Sequence, residues 1–158
     1  MVNDKTLIAY ETKQGVSGET AGVIAEVLRS EFGLEVDLVD LNEEPTPDLM
    51  QYHNIIVGAG VRMGKVYNKA TKFLENDFSG KQVAFFASSA WGGTPGEYYE
   101  SAMKRFVGKT LSKYPKISVV SKEAFGGRIR YFKKTMVDNV DLTKVKAWAL
   151  ELGKLFTR

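Results

Sequence analysis

Residues 11–20 read ETKQGVSGET, a stretch in which the hydroxyls of Thr12, Ser17 and Thr20 stand among the small residues Gly15 and Gly18. An apolar run precedes it and a helical apolar pattern follows, which makes it a strand-to-helix turn. Free backbone N–H groups and the positive end of the helix macrodipole favour a phosphate at such a turn. Thr12, Lys13, Gln14, Gly15, Val16 and Ser17 form the candidate cradle, acting mostly through backbone N–H and hydroxyl donors. Two more glycine-bearing stretches, GAGVRMGKV at 58–66 and SSAWGGTPG at 88–96, also follow apolar runs. Each offers a tight turn and one large side chain, Met63 or Trp91, among small neighbours.

Other chemistries fail on the residues present. The chain has no cysteine, which excludes thiol catalysis, cysteine zinc sites, cysteine-ligated iron–sulfur clusters and disulfides. The single His53 has no carboxylate or serine partner at a recognisable spacing and reads as structural. Gly108-Lys109-Thr110 looks like the end of a nucleotide loop, but Met103 stands where the first glycine belongs. Gly58 and Gly60 lack the third glycine of a dinucleotide fingerprint, because position 63 is Met. The clustered aspartates of a phosphoacceptor domain are missing around Glu11 and 58–60. No catalytic side chain and no metal site are expected.

The elements that must position these turns follow from apolar periodicity. Short β-rich runs at 6–10, 36–39, 55–57, 83–87 and 117–120 are apolar on both faces, as central strands of a parallel sheet are. Helical patterns alternate with them. Ala21, Ile24, Ala25, Leu28 and Phe32 share one face of the first, and Val145, Trp148, Ala149, Leu152 and Phe156 one face of the last, which Asp141 can cap. A helix is expected from Pro95 to about Leu111, with Ala102, Met103, Phe106 and Val107 buried. Another is expected over 68–76, and at most a short helix over 48–52. Strand–helix alternation over 158 residues, 44% of them hydrophobic, argues for one domain, residues 1–158, built as a doubly wound α/β sandwich. Such sheets bind ligands beyond the carboxyl ends of their strands, so the turns after the first, third and fourth strands should converge. The stretch 126–134 is expected to be the longest irregular piece, and a mobile one.

The net charge is +3, from 22 Lys plus Arg against 19 Asp plus Glu, which is too small to imply nucleic acid. The cations are uneven: Lys104, Arg105, Lys109, Lys113 and Lys116 gather in one region and Arg128, Arg130, Lys133 and Lys134 in another. Solvated faces account for both groups; docking to an acidic partner or an anionic membrane surface is the other reading. No leader pattern follows Met1 and no apolar run approaches a membrane span, so a cytoplasmic location is expected and membrane contact is not.

The first turn resembles the signature of the flavodoxin family, with Tyr10, Thr12, Gly15, Ser17 and Ala21 at the matching positions. Ala9 is smaller than the residue usual there, and Ser17 replaces the commoner Thr. One short-chain branch has a Met-Gly pair where this chain has Met63 and Gly64, and a Trp between small residues where it has Trp91. The resemblance implies a flavodoxin-like sandwich, five parallel strands in the order 2-1-3-4-5 with helices on both faces, holding FMN. Gly60, Val61, Arg62, Met63, Gly64 and Lys65 would then flank one face of the flavin ring. Ser88, Ser89, Ala90, Trp91, Gly92 and Gly93 would flank the other. The implied role is a low-potential electron carrier between redox partners, such as a reductase or an iron–sulfur protein. Two alternatives stay open. Lys13, the GVRMG segment and AFGGRIRYF at 124–132 resemble the quinone-linked protoporphyrinogen oxidases, and a flavin-free binding module could keep the fold. The family is usually acidic; Lys65 stands where an acidic residue is common, and near a reduced, anionic flavin it would ease reduction.

Overall fold

A computed structural model describes residues 5–13, 15–90, 92, 96–131 and 134–158. Its centre is a parallel sheet of β1 (Lys5–Glu11), β2 (Val36–Asp40), β3 (Tyr52–Arg62), β5 (Gln82–Ser89) and β6 (Val119–Gly126), in the order β2-β1-β3-β5-β6. The short β4 (Lys65–Val66) pairs antiparallel with the end of β3. This is the expected 2-1-3-4-5 order, counting the five parallel strands in chain order. Helices α1 (Val16–Phe32) and α5 (Leu142–Phe156) pack on one face. The other face carries α2 (Asn68–Phe73), α3 (Glu97–Ala102) and the π-helical turn Met103–Gly108 that leads into α4 (Lys109–Leu111).

Side-chain alternation along the strands builds two cores. Leu7, Ile55, Val57 and Phe85 point to the α2–α3 side, whereas Ile8, Ile56, Ala84 and Phe86 point to the α1–α5 side. On that second side Phe86, Phe125 and Trp148 meet in tilted and edge-on contacts with centroids 5.5–5.9 Å apart. Trp148 Nε1 donates to Ser121 Oγ at 2.9 Å, so the buried indole keeps a polar partner. Phe86 needs a glycine opposite: a Cβ on Gly58 would lie 2.1 Å from its ring. Asp141 caps α5 as expected, accepting from Thr143 N and Lys144 N. Among the described residues no helix is long and apolar enough to cross a membrane.

Three sequence expectations are corrected, and the short helix allowed over 48–52 is present. The third strand runs eleven residues, through Gly58, Ala59 and Gly60, because the small residues that suggested a loop instead admit Phe86 and Tyr67 against the strand. The fifth parallel strand spans Val119–Gly126 rather than 117–120; as an edge strand, its Ser121-Lys122-Glu123 run broke the apolar pattern. The stretch 126–134 is not irregular in its described part. Arg128–Tyr131 forms β7, paired with β8 (Lys134–Asp138) in an antiparallel hairpin, as the alternating types of RIRY and KTMVD allow. Residues 48–52 make a 3₁₀ turn, Leu49–Gln51, capped by Asp48 and running straight into β3. Pro95, expected in the first turn of a helix, lies outside the described residues.

Two helix glycines separate backbone propensity from packing. Gly22 in α1 has open space where a Cβ would go, while a Cβ on Gly153 in α5 would lie 2.0 Å from the Phe32 ring. Gly22→Ala is expected to raise stability by about 0.5–1 kcal/mol. Gly153→Ala, the same chemical change, is expected to lower it by about 1–3 kcal/mol through overpacking. Urea unfolding midpoints of the two variants check the opposite signs.

Candidate functional site

The carboxyl ends of β1, β3 and β5 open into a cavity of about 550 Å³. Its wall takes Thr12, Lys13, Val16 and Ser17 from the first turn. It takes Gly60, Val61, Arg62, Met63 and Gly64 from the end of β3, and Ser88, Ser89 and Ala90 from the end of β5. All three predicted turns therefore converge on one space. Gln14, Trp91 and Gly93 lie outside the described residues.

The first turn is shaped for an anion. Gly15, at φ 87°, enters α1 with no side-chain cap on the helix, so the N–H groups of the first helical turn are left to an outside acceptor. Gly15 N–H itself donates to Thr12 Oγ1 at 2.8 Å and does not line the cavity. Ser17 is 1% exposed, and its hydroxyl has no hydrogen-bond partner. Ser88, at the end of β5, is in the same condition. A buried hydroxyl without a partner costs roughly 1–3 kcal/mol, so two of them on one cavity wall mark a place for polar ligand atoms. The turn is held from behind by Asn42, whose side-chain amide donates to Thr12 O at 2.7 Å.

After β3 the chain turns back on itself at Met63 and Gly64, with Arg62 opposite Lys65. Both turn residues have positive φ, 52° and 76°, the backbone of a two-residue hairpin. Lys65 is exposed on the outer strand and does not line the cavity. Tyr67 follows: its ring covers Gly60, where a Cβ would come within 2.7 Å, and Lys13 Nζ sits 4.9 Å from its centroid. Burial raises the Tyr67 hydroxyl pKa, with Glu11 adding to the effect and Arg62 opposing it. Glu11, 1% exposed at the end of β1, accepts from Ala70 N at 3.0 Å and so ties α2 to the end of that strand.

The far wall is a close approach of two backbones. Gly92 N–H donates to Ser89 Oγ at 3.0 Å, and a Cβ on Gly92 would meet Phe125 O at 2.5 Å. A Cβ on Gly127 would meet the Ser89 carbonyl carbon at 2.8 Å. Gly92 thus closes the turn rather than lining the cavity. The β7–β8 hairpin is anchored beside this wall, where Asn139 donates through its side-chain amide to Ala90 O and through its backbone N–H to Gly127 O.

Sequence reasoning left Tyr67, Arg105, Phe106 and Gly127 out of the site, and gave Arg128 as part of a basic segment that, on the oxidase alternative, would bind an anionic or aromatic substrate. Tyr67 gave no signal beyond being aromatic near the Met-Gly pair. Arg105 and Phe106 reach the cavity from the π-helical turn, and a period of 3.6 residues does not foresee its register. Arg128 lines the cavity but is engaged by two carboxylates, Glu19 Oε2 at 2.7 Å and Asp138 Oδ2 at 3.1 Å, which raise its pKa further.

The sequence model of the flavodoxin domain matches residues 7–149. The flavodoxin of Aquifex aeolicus (strain VF5) is 32% identical over 97 residues, which cover 56% of this chain and 52% of that protein. Protoporphyrinogen IX dehydrogenase [quinone] of Escherichia coli (strain K12) is 28% identical over 71 residues, 45% of this chain and 39% of that one. The chain thus spans about half or less of the length of these curated relatives. Oxidised Flavodoxin 1 from Bacillus cereus shares the fold, with a TM-score of 0.65 over 95% of this chain and 97% of its own, at 22% identity. Because the family match runs unbroken from β1 into α5 and includes every turn that builds the cavity, this chain belongs to the flavodoxin domain family.

Proposed function

We propose that this protein binds FMN in the cavity and acts as a low-potential electron carrier between redox partner proteins, with a reductase or an iron–sulfur protein as the expected kind. The observation that carries the reading is the Ser17 hydroxyl, buried and unpartnered on the cavity wall beside the uncapped start of α1. That donor set suits a terminal phosphate. Thr12, Lys13, Gln14, Val16 and Ser17 would hold it, with Gly15 shaping the turn. One phosphate site, and no second nucleotide-binding half in the sequence, favours FMN over a dinucleotide. The residues Gly60 to Gly64 would flank one side of the ring system and Ser88 to Trp91 the other, with Met63 and Trp91 as the large contacts; Lys65 and Gly92, off the cavity wall, would act only on the turns that carry them. Bound FMN supplies reversible electron transfer, while the chain's residues bind it, orient it and restrict water. The family and its named flavodoxin relatives support this reading.

A second reading has its own observation. Gly127 and Arg128 of the glycine–arginine segment line the cavity, and a relative is a quinone-linked protoporphyrinogen IX dehydrogenase, so an organic substrate could be turned over there.

Ser17→Ala is expected to weaken FMN about 10-fold or more, the range of a hydrogen bond to a charged group, and to leave riboflavin affinity unchanged. Flavin fluorescence titrations measure both. Equal losses for the two flavins would remove the phosphate from Ser17. Without FMN the variant should unfold no more easily than the parent, because a buried unpartnered hydroxyl has been deleted.

Stepwise reductive titration of the purified yellow protein separates the two readings. A carrier takes up its electrons in two resolved one-electron steps. A single two-electron bleaching, with protoporphyrinogen turned over at the rate of flavin reduction, would establish the oxidase instead. A colourless protein that takes up no FMN would end both readings in favour of a flavin-free binding module.

A further inference from the structure

The Met63–Gly64 turn combines three locally unfavourable features. Met63 holds φ 52°, a left-handed conformation that resists a side chain with Cβ, in a hairpin position that ordinarily takes Asn, Asp or Gly. The same residue is 92% exposed, the most exposed large apolar side chain among the described residues. Arg62 and Lys65 are direct cross-strand partners, a like-charge pairing that weakens a hairpin. Arg105 adds a third cation, its guanidinium reaching to 3.7 Å from the position of a Cβ on Gly64. Among the described residues, none of these three cations has a carboxylate partner.

The contrast with Arg128 is informative. That guanidinium lies on the same cavity and is held by two carboxylates, so this fold can place acids beside its cations. At the Met63 turn it does not. Bound FMN would meet part of Met63 on the reading above, but Lys65 lies off the cavity and none of the three cations has a described acid beside it, so the charge of the turn is left to be balanced from outside the chain. A centre of one apolar side chain ringed by two arginines and a lysine has the make-up of a protein-binding hot spot.

We infer that Met63, Arg62, Lys65 and Arg105 form a docking surface for an acidic redox protein, one that presents carboxylates around a small apolar contact and approaches at this edge of the cavity. The inference rests on the electron-carrier reading for its biological sense and on the charge and exposure of the turn for its chemistry. A protein is favoured over a membrane because the patch is one hairpin turn and carries one apolar side chain. An interfacial helix would bury a longer apolar face.

The test titrates the isotopically labelled, as-purified protein with an acidic [2Fe–2S] ferredoxin and, separately, with a basic c-type cytochrome, at low and high salt. Backbone NMR shifts are expected around residues 62–65 and 105 with the ferredoxin only, and are expected to fade as salt rises. Arg62→Glu combined with Lys65→Glu should raise the ferredoxin Kd about 10-fold or more, and Arg105→Glu should raise it in the same direction. Lys113→Glu with Lys116→Glu makes the same change in net charge beyond α4, at the opposite end of the sheet, and should alter Kd less than about 2-fold.

Equal losses from the two double variants would overturn the proposal in favour of a net-charge effect. So would shifts centred elsewhere, or ferredoxin indifference together with binding to phosphatidylserine vesicles. The two readings can fail separately. Docking by a protein that takes up no FMN would leave the surface standing and remove the carrier. FMN uptake without ferredoxin shifts at the turn would do the reverse.

Discussion

The site depends on the hydrogen-bonded register at the carboxyl ends of four strands. Glu11, Ala59, Ala87 and Ala124 lie side by side across β1, β3, β5 and β6, and the next row begins with Gly60, Ser88 and Phe125. Each turn that lines the cavity starts one to three residues beyond these rows. A slip of one residue in any pair would shift its turn by about 3.3 Å along the strand and send its last side chains to the opposite face. All members of the first row are buried, and three are alanine. The row is therefore a flat ledge from which Thr12, Gly60 and Ser88 begin, and Glu11 fastens its first strand to α2 through Ala70 N.

Stability and site occupy different parts of this arrangement. The two cores close on either face of the sheet around Phe85 and Phe86, and the turns add only partly buried side chains such as Val61 and Val66 at the edge of one of them. That separation lets the turns carry features a core does not tolerate, such as the unpartnered hydroxyls of Ser17 and Ser88 and the left-handed Met63. Free energy lost at these positions is a few kcal/mol at most. It is set against the burial of whole aromatic and branched side chains on both faces, each of which contributes about 1.5–3 kcal/mol.

The part of the fold written in apolar periodicity was legible. The parallel strands and the helix faces followed from runs such as 6–10 and 83–87 and from the stripes of α1 and α5, whereas the order of the strands in the sheet came from the resemblance to flavodoxins. The turn between β1 and α1 was legible for a different reason: glycines and hydroxyls between an apolar run and a helical stripe mark where a strand ends and a helix begins. What escaped was set by tertiary contact. Gly58 and Gly60 read as loop residues until Phe86 and Tyr67 are seen lying against them. The edge strand β6 carries the polar run Ser121-Lys122-Glu123 between its apolar ends, and so looked like surface. The register of Arg105 and Phe106 depends on a π-helical turn that sequence spacing does not announce. Of the cavity wall, the residues of the three glycine-bearing stretches were found, while Tyr67, Arg105, Phe106 and Gly127 were not.

Charge around the cavity is better understood locally than from the total. A net +3 spread over the surface has little reach at physiological salt, where fields decay over about 8 Å. Arrangement decides which cations act. Arg128 is tied between α1 and the β7–β8 hairpin by Glu19 and Asp138, so its charge is spent on holding that hairpin beside the cavity. Lys13 rests over the Tyr67 ring, itself near the buried Glu11, and lines the cavity at the start of the first turn. Arg62 and Arg105 answer to no carboxylate among the described residues, although both line the cavity. The cavity thus presents uncompensated positive charge, while the buried Glu11 is not part of its wall. Anything entering or docking there meets the cations first and the polar cradle of Ser17 behind them.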